Sequence, residues 1–142
     1  MTRWLIAFAG AAGAVAVGFG AFGAHALRKT LPEDRLANLE LGVRYLYFHI
    51  PALLAVAWLS SGFPCGGNLF TTIAAWSFVG GMVLFSGSLI TLALTGERRW
   101  GRVTPVGGVL LLVGWVALIG AGLTVTSAAP AGPFIRSFLQ TC

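Results

Sequence analysis

No charged residue occurs between Arg44 and Glu97, and none between Val103 and Ile135. A soluble domain of this size could not bury two such stretches, so lipid must cover them. Acids are also scarce: Glu33, Asp34, Glu40 and Glu97 are all that the chain has, and each falls in an expected loop. Ion-coupled carriers generally need a carboxylate inside the membrane, and that lack weighs against a small dimeric transporter. No nucleophile, base and acid gather in one leaflet, so the chain is expected not to be an enzyme. The strict alternation over about ten residues that marks a membrane β-barrel is missing as well. Long basic runs are absent, so the net charge of +5 points to membrane topology and anionic lipid rather than nucleic acid.

The two cysteines, Cys65 and Cys142, are too few and too far apart for a metal motif such as C-x-x-C. Both fall on one side of the expected topology, where a disulfide and two free thiols are both open.

What the sequence does have is apolar length. Of its 142 residues, 57% are hydrophobic and 9% charged, far outside the soluble average. The expected fold is all-α, an integral membrane four-helix bundle in a single domain. Spans are expected at about 4–26, 45–63, 69–94 and 105–126, each near the 20 residues that cross a hydrocarbon core of roughly 30 Å. Asn68 suits the start of the third span and Thr104-Pro105 the start of the fourth. Between the first two spans, residues 32–44 read as a short amphipathic interfacial helix. Pro32, Glu33 and Asp34 open it, Leu36, Leu39, Val43 and Leu46 recur at helical spacing, and Glu40 and Arg44 form an i, i+4 pair. A C-terminal tail, 128–142, follows the last span.

Charge then orients the spans. Arg28, Lys29, Arg35 and Arg44 in the first loop and Arg98, Arg99 and Arg102 in the third lie opposite Arg3 and Arg136. The positive-inside rule makes those two loops cytoplasmic and leaves both termini outside, in the plasma membrane of a bacterium, its inner membrane. Trp100 among its arginines is an interfacial anchor, and Arg28, Lys29, Arg98, Arg99 and Arg102 face the anionic inner leaflet. The first 26 residues imitate a secretory signal ending in Ala24-His25-Ala26, but their apolar stretch is longer than the 7 to 15 residues or so of a signal core. The first span is therefore expected to remain in the mature protein.

The stretch GFGAFG, Gly18 to Gly23, fits the dinucleotide pattern G-x-G-x-x-G, yet it lacks the preceding strand and the surrounding βαβ unit. Its glycines suit helix contact instead. Gly10, Ala14 and Gly18 recur every four residues, Gly20 and Gly23 extend the small-residue character, and Ser77, Gly81 and Gly114 repeat it in later spans. Ser86, Ser88 and Thr91 are candidates for hydrogen bonds between helices or within their own.

Two histidines, His25 and His49, stand within or at the edge of the apolar zone. Facing one another, they would make a haem- or metal-binding pair; apart, each satisfies a carbonyl or a neighbouring helix. No third ligand accompanies them, and the expectation is that no cofactor is bound. Pro51, two residues beyond His49, frees the carbonyl of Tyr47 from its helical partner.

The segments GAFGAHAL (Gly20 to Leu27), GVRYLYFH (Gly42 to His49), FSGSL (Phe85 to Leu89), LTG (Leu94 to Gly96) and VTPVGG with GW (Val103 to Gly108, Gly114-Trp115) occur in this order. Together they resemble the YgdD/YwdK-like family of small multi-span membrane proteins, a domain of unknown function. The resemblance covers roughly Trp4 to Gly122 and implies a compact helical membrane protein without an assigned activity. Where that family usually has Tyr-Gln, this chain has Tyr45-Leu46, which removes a polar partner near His49. The resulting expectation is a non-enzymatic accessory, scaffold or lipid-contacting subunit, self-associating or part of a larger membrane complex. The alternative is a haem- or metal-binding subunit using His25 and His49.

Overall fold

The structure, a computed structural model, describes residues 1–61 and 68–124. Four α-helices account for nearly all of it: α1 (Thr2–His25), α2 (Glu33–Ser61), α3 (Leu69–Thr95) and α4 (Thr104–Thr124), with short 3-10 helices at Leu27–Lys29 and Arg98–Arg102. No strand occurs among the described residues, and all four helices are long and apolar enough to cross a membrane. Cys65, Cys142 and the 128–142 tail lie outside the described residues.

Each helix packs chiefly on its neighbour in sequence, α1 on α2, α2 on α3 and α3 on α4. The α3–α4 seam is the tightest. A side chain at Gly81 would come within 2.5 Å of Leu111, one at Gly114 within 2.7 Å of Phe78, and one at Gly107 would collide with the Phe85 backbone. These positions let two helix backbones close on each other, the role expected of Gly81 and Gly114. Ser77 is buried within α3.

On α1 the packed face differs from the one expected. Leu5, Ala9, Ala12, Ala16 and Gly23 are buried against the bundle, whereas Gly10 and Ala14 are exposed and Gly18 is half-buried. Open space surrounds Gly10 and Gly18, while Gly20 meets the Tyr47 hydroxyl and Gly23 meets Leu39. The Gly10, Ala14, Gly18 stripe thus faces away from the chain's other helices. The alanines beside it are small enough to accept α2 and form the seam in its place.

The 32–44 segment is helical but not separate. It runs without a break into the second span as one 29-residue helix, about 43 Å long against a hydrocarbon core of roughly 30 Å. Leu36, Leu39, Val43 and Leu46 face the protein core rather than lipid, and Leu53, Val56 and Ser60 carry the stripe onward. Continuity of that stripe leaves no reason for a turn. Pro51 is held inside the helix on its exposed side. Glu40 and Arg44 do not pair; the ion pair found among the described residues is Arg99 with Glu97.

Caps define the ends. Asn68 Oδ1 accepts from the Thr71 amide at 2.9 Å, and its Nδ2 donates to Thr124 Oγ1 at 2.5 Å, tying the start of α3 to the end of α4. Gly96, at φ 75°, closes α3 in the left-handed conformation that favours glycine. Thr104 does not cap α4. Its hydroxyl lies 2.8 Å from Ser88 Oγ and joins α4 to α3.

Arg35 supplies a tie that sequence spacing did not reveal. Its Nε donates to the Ala93 carbonyl at 2.7 Å and its Nη2 to Leu94 at 2.5 Å, and the guanidinium lies over Gly96. A cation thereby occupies the negative end of the α3 dipole and satisfies carbonyls that have no partner within the helix. This contact places the start of α2 and the end of α3 at the same end of the bundle, the end that carries both 3-10 helices.

Candidate functional site

His49 projects from the middle of α2 into a cluster of aromatic rings, and only 5% of its surface is exposed. Its ring lies 5.7 Å from Tyr45, 5.8 Å from Phe78 and 5.9 Å from Trp115, while Phe85 packs on Tyr45 at 4.3 Å. Three helices therefore meet at one imidazole. Gly114 makes room: with no side chain there, Phe78 lies flat against α4 and turns its ring edge-on to Trp115.

Both ring nitrogens are engaged. Nδ1 is 2.7 Å from the Tyr45 carbonyl, which can only accept, so Nδ1 carries the proton. The indole Nε1 of Trp115, which can only donate, points at His49 Nε2 at 3.2 Å. These two partners select the neutral Nδ1–H tautomer. An imidazolium here would set two donors against each other. Beside the ring, Phe48, Leu111 and Leu112 complete a groove of about 500 Å³ between α2 and α4.

His25 is not part of this cluster. It ends α1 on the exposed surface, near the level where Gly23 meets Leu39 of α2. His49 lies ten residues farther along α2, about 15 Å away at 1.5 Å per residue. The alternative in which the two imidazoles face one another is not met: α1 passes the level of His49 at Gly13 and Ala16, beside Ile50 and Tyr47, and His25 stands at its far end. Trp115, which does reach His49, stands in the sequence only as part of the Gly114-Trp115 motif. Its indole is a donor without an obvious acceptor, and that was the available signal.

The polar serines behave unequally. Ser88 bridges to Thr104, Thr91 donates to the Gly87 carbonyl of its own helix, and Ser86 Oγ is buried without a partner among the described residues. At the cationic end, Arg28, Lys29, Arg98, Arg99, Trp100 and Arg102 are all on the surface. Near the other end, Trp4 and Trp58 are 75% and 74% exposed, so aromatic and cationic belts bound the apolar zone. From Trp4 to His25 along α1 is about 31 Å, close to the hydrocarbon thickness.

Comparison with known proteins agrees with this architecture. The family described as "Protein of unknown function (DUF423)" matches residues 19–108, from the end of α1 to the start of α4. The chain belongs to that family. It is 39% identical over 109 residues to the UPF0382 membrane protein YwdK of Bacillus subtilis, covering 77% of this chain and 87% of the relative. It is 40% identical over 124 residues to the UPF0382 inner membrane protein YgdD of Escherichia coli K12, covering 84% and 90%. A UPF0382 membrane protein of Staphylococcus epidermidis is 41% identical over 109 residues, covering 77% and 86%. No solved structure matches the chain. This DUF423 member is an integral membrane protein; Tyr45, His49, Phe78 and Phe85 lie within the matched region, and Trp115 lies beyond it.

Proposed function

We propose that this protein is a non-enzymatic accessory subunit of the bacterial inner membrane, a scaffold that contacts lipid and a membrane partner through its helix faces. The carrying observation is the state of His49. The imidazole in the spans has one nitrogen spent on Tyr45 and the other on Trp115, an arrangement that holds helices together and leaves no lone pair for a proton, a metal or haem iron. Acids in the chain lie toward the cationic end and beyond the spans' cores, so the spans offer no charge for ion coupling. Outward-facing surface is abundant by contrast, as in the apolar groove of about 690 Å³ between α1 and α3 beside Trp4 and Trp76. The relative named an inner membrane protein supports the location. The positive-inside rule sets the end bearing Arg28, Lys29, Arg98, Arg99 and Arg102 in the cytoplasm, with both termini outside.

Photo-crosslinkers at Val17 on α1 and Leu112 on α4, both exposed, test the scaffold role in living cells. The expected result is a crosslink to one defined protein, either a second copy or another membrane protein, from at least one face. Adducts to lipid alone from both faces would refute scaffolding. A Soret band in gently purified protein, lost on changing His49 to Ala, would replace the proposal with a haem-binding redox subunit.

A further inference from the structure

Between α1 and α2, at the cationic end, lies a groove of about 310 Å³ with a mixed lining. Its walls are apolar where Phe19, Leu39 and Val43 face it, and its mouth is charged, with Arg28, Arg44 and Glu40. Gly20 and Gly23 keep it open on the α1 side. A side chain at Gly23 would reach Leu39 at 3.4 Å, and one at Gly20 would reach the Tyr47 hydroxyl at 3.2 Å. Tyr47 closes the inner end, donating its hydroxyl to the Ala16 carbonyl at 3.1 Å. Neither arginine has a carboxylate partner among the described residues, although Glu40 stands one helical turn from Arg44. Unpaired cations at the rim of an apolar cleft are a cradle for an amphiphile with an acidic head.

We propose that this groove is a binding site for a monoanionic glycerophospholipid with a hydroxyl-bearing head group, of the phosphatidylglycerol type. Charge selects that class. Two arginines and one glutamate leave the mouth one positive charge in excess, which one phosphodiester neutralises. The phosphate lies between Arg28 and Arg44, where guanidinium forks match its oxygens. Glu40, an acceptor only, takes a hydrogen bond from a head-group hydroxyl, which a choline head group cannot provide. The groove is at the small end of the roughly 300–1,000 Å³ typical of ligand sites, so it receives the head group and the start of one acyl chain. The rest of the lipid lies along the outer faces of α1 and α2. This inference builds on the proposed lipid contact but is independent of any protein partner.

The test is native mass spectrometry of the full chain in mild detergent, titrated with phosphatidylglycerol or phosphatidylcholine of identical acyl chains. Wild-type protein is expected to retain one phosphatidylglycerol per chain in preference to phosphatidylcholine. R28Q/R44Q should weaken that binding about 30-fold, roughly fivefold per lost cation, while R3Q at the opposite end leaves it unchanged. Equal retention of the two lipids, or full retention of phosphatidylglycerol by a folded R28Q/R44Q protein, overturns the site. Phenylglyoxal modification of the wild-type chain needs no variant. Phosphatidylglycerol should protect Arg28 and Arg44 but not Arg98, and uniform modification of all three in its presence overturns the proposal. A partner crosslink with no lipid preference would remove this site and keep the scaffold; selective lipid binding with no partner crosslink would do the reverse.

Discussion

Replacing Arg35 by alanine should destabilise the bundle at one place and by a calculable amount. The side chain donates two hydrogen bonds to the last carbonyls of α3, at 2.7 Å and 2.5 Å. A hydrogen bond to a charged group contributes about 1.5–3 kcal/mol when shielded, and a cation at a helix C-terminus adds about 0.3–1 kcal/mol. One bond is partly buried and the other exposed, so water recovers much of this sum. The net loss expected for R35A is about 2 kcal/mol. For a chain of this size that lowers the melting temperature by about 6 °C. Lysine, a point charge without the fork, should restore about half. Thermal unfolding in detergent measures the global effect, and hydrogen exchange measures the local one. Protection should fall at the Gly96 amide, which bonds to Leu92 at 2.8 Å, and leave the Asn68 end of the same helix unchanged. R35A protein with wild-type melting and wild-type exchange at Gly96 would refute the assignment of Arg35 as a clamp.

Three further substitutions probe the packing. Changing Trp115 to Phe removes the donor to His49 Nε2 and should cost about 1–2 kcal/mol, with a shift of the Nε2 resonance in nitrogen NMR; an unmoved resonance would deny the hydrogen bond. Changing Ser86 to Ala removes a buried hydroxyl with no partner among the described residues and should stabilise the protein by about 1 kcal/mol, so a lower melting temperature would mean that the hydroxyl has a role. Leucine at Gly18 should leave monomer stability unchanged, whereas leucine at Gly81 should wreck the α3–α4 seam; the opposite order of melting temperatures would contradict the packing described.

The spans were legible because charge is excluded from lipid, and a stretch such as 45–96 allows no other reading. Helix starts and stops were legible where a side chain did the work locally, as at Asn68. Which face of α1 packs was not. Ala9, Ala12 and Ala16 are as small and apolar as Gly10, Ala14 and Gly18, and in a membrane both lipid and protein accept such a stripe. Arg35 escaped for a related reason. Its partners are backbone carbonyls 58 and 59 residues away, and every residue has a carbonyl. In the candidate site, His49 stood out as a rare polar group among apolar ones. Its donor, Trp115, lies 66 residues farther along, and tryptophans in membrane proteins have many other uses. His25 stood out equally and belongs elsewhere, since rarity marks a residue without giving its depth along a helix.

The order of packing, α1 on α2, α2 on α3 and α3 on α4, bears on how the molecule is made. Each rod after the first finds a neighbour already present when it leaves the ribosome, so the chain can be laid into the bilayer one rod after another. Biogenesis should therefore tolerate pauses in translation between hairpins.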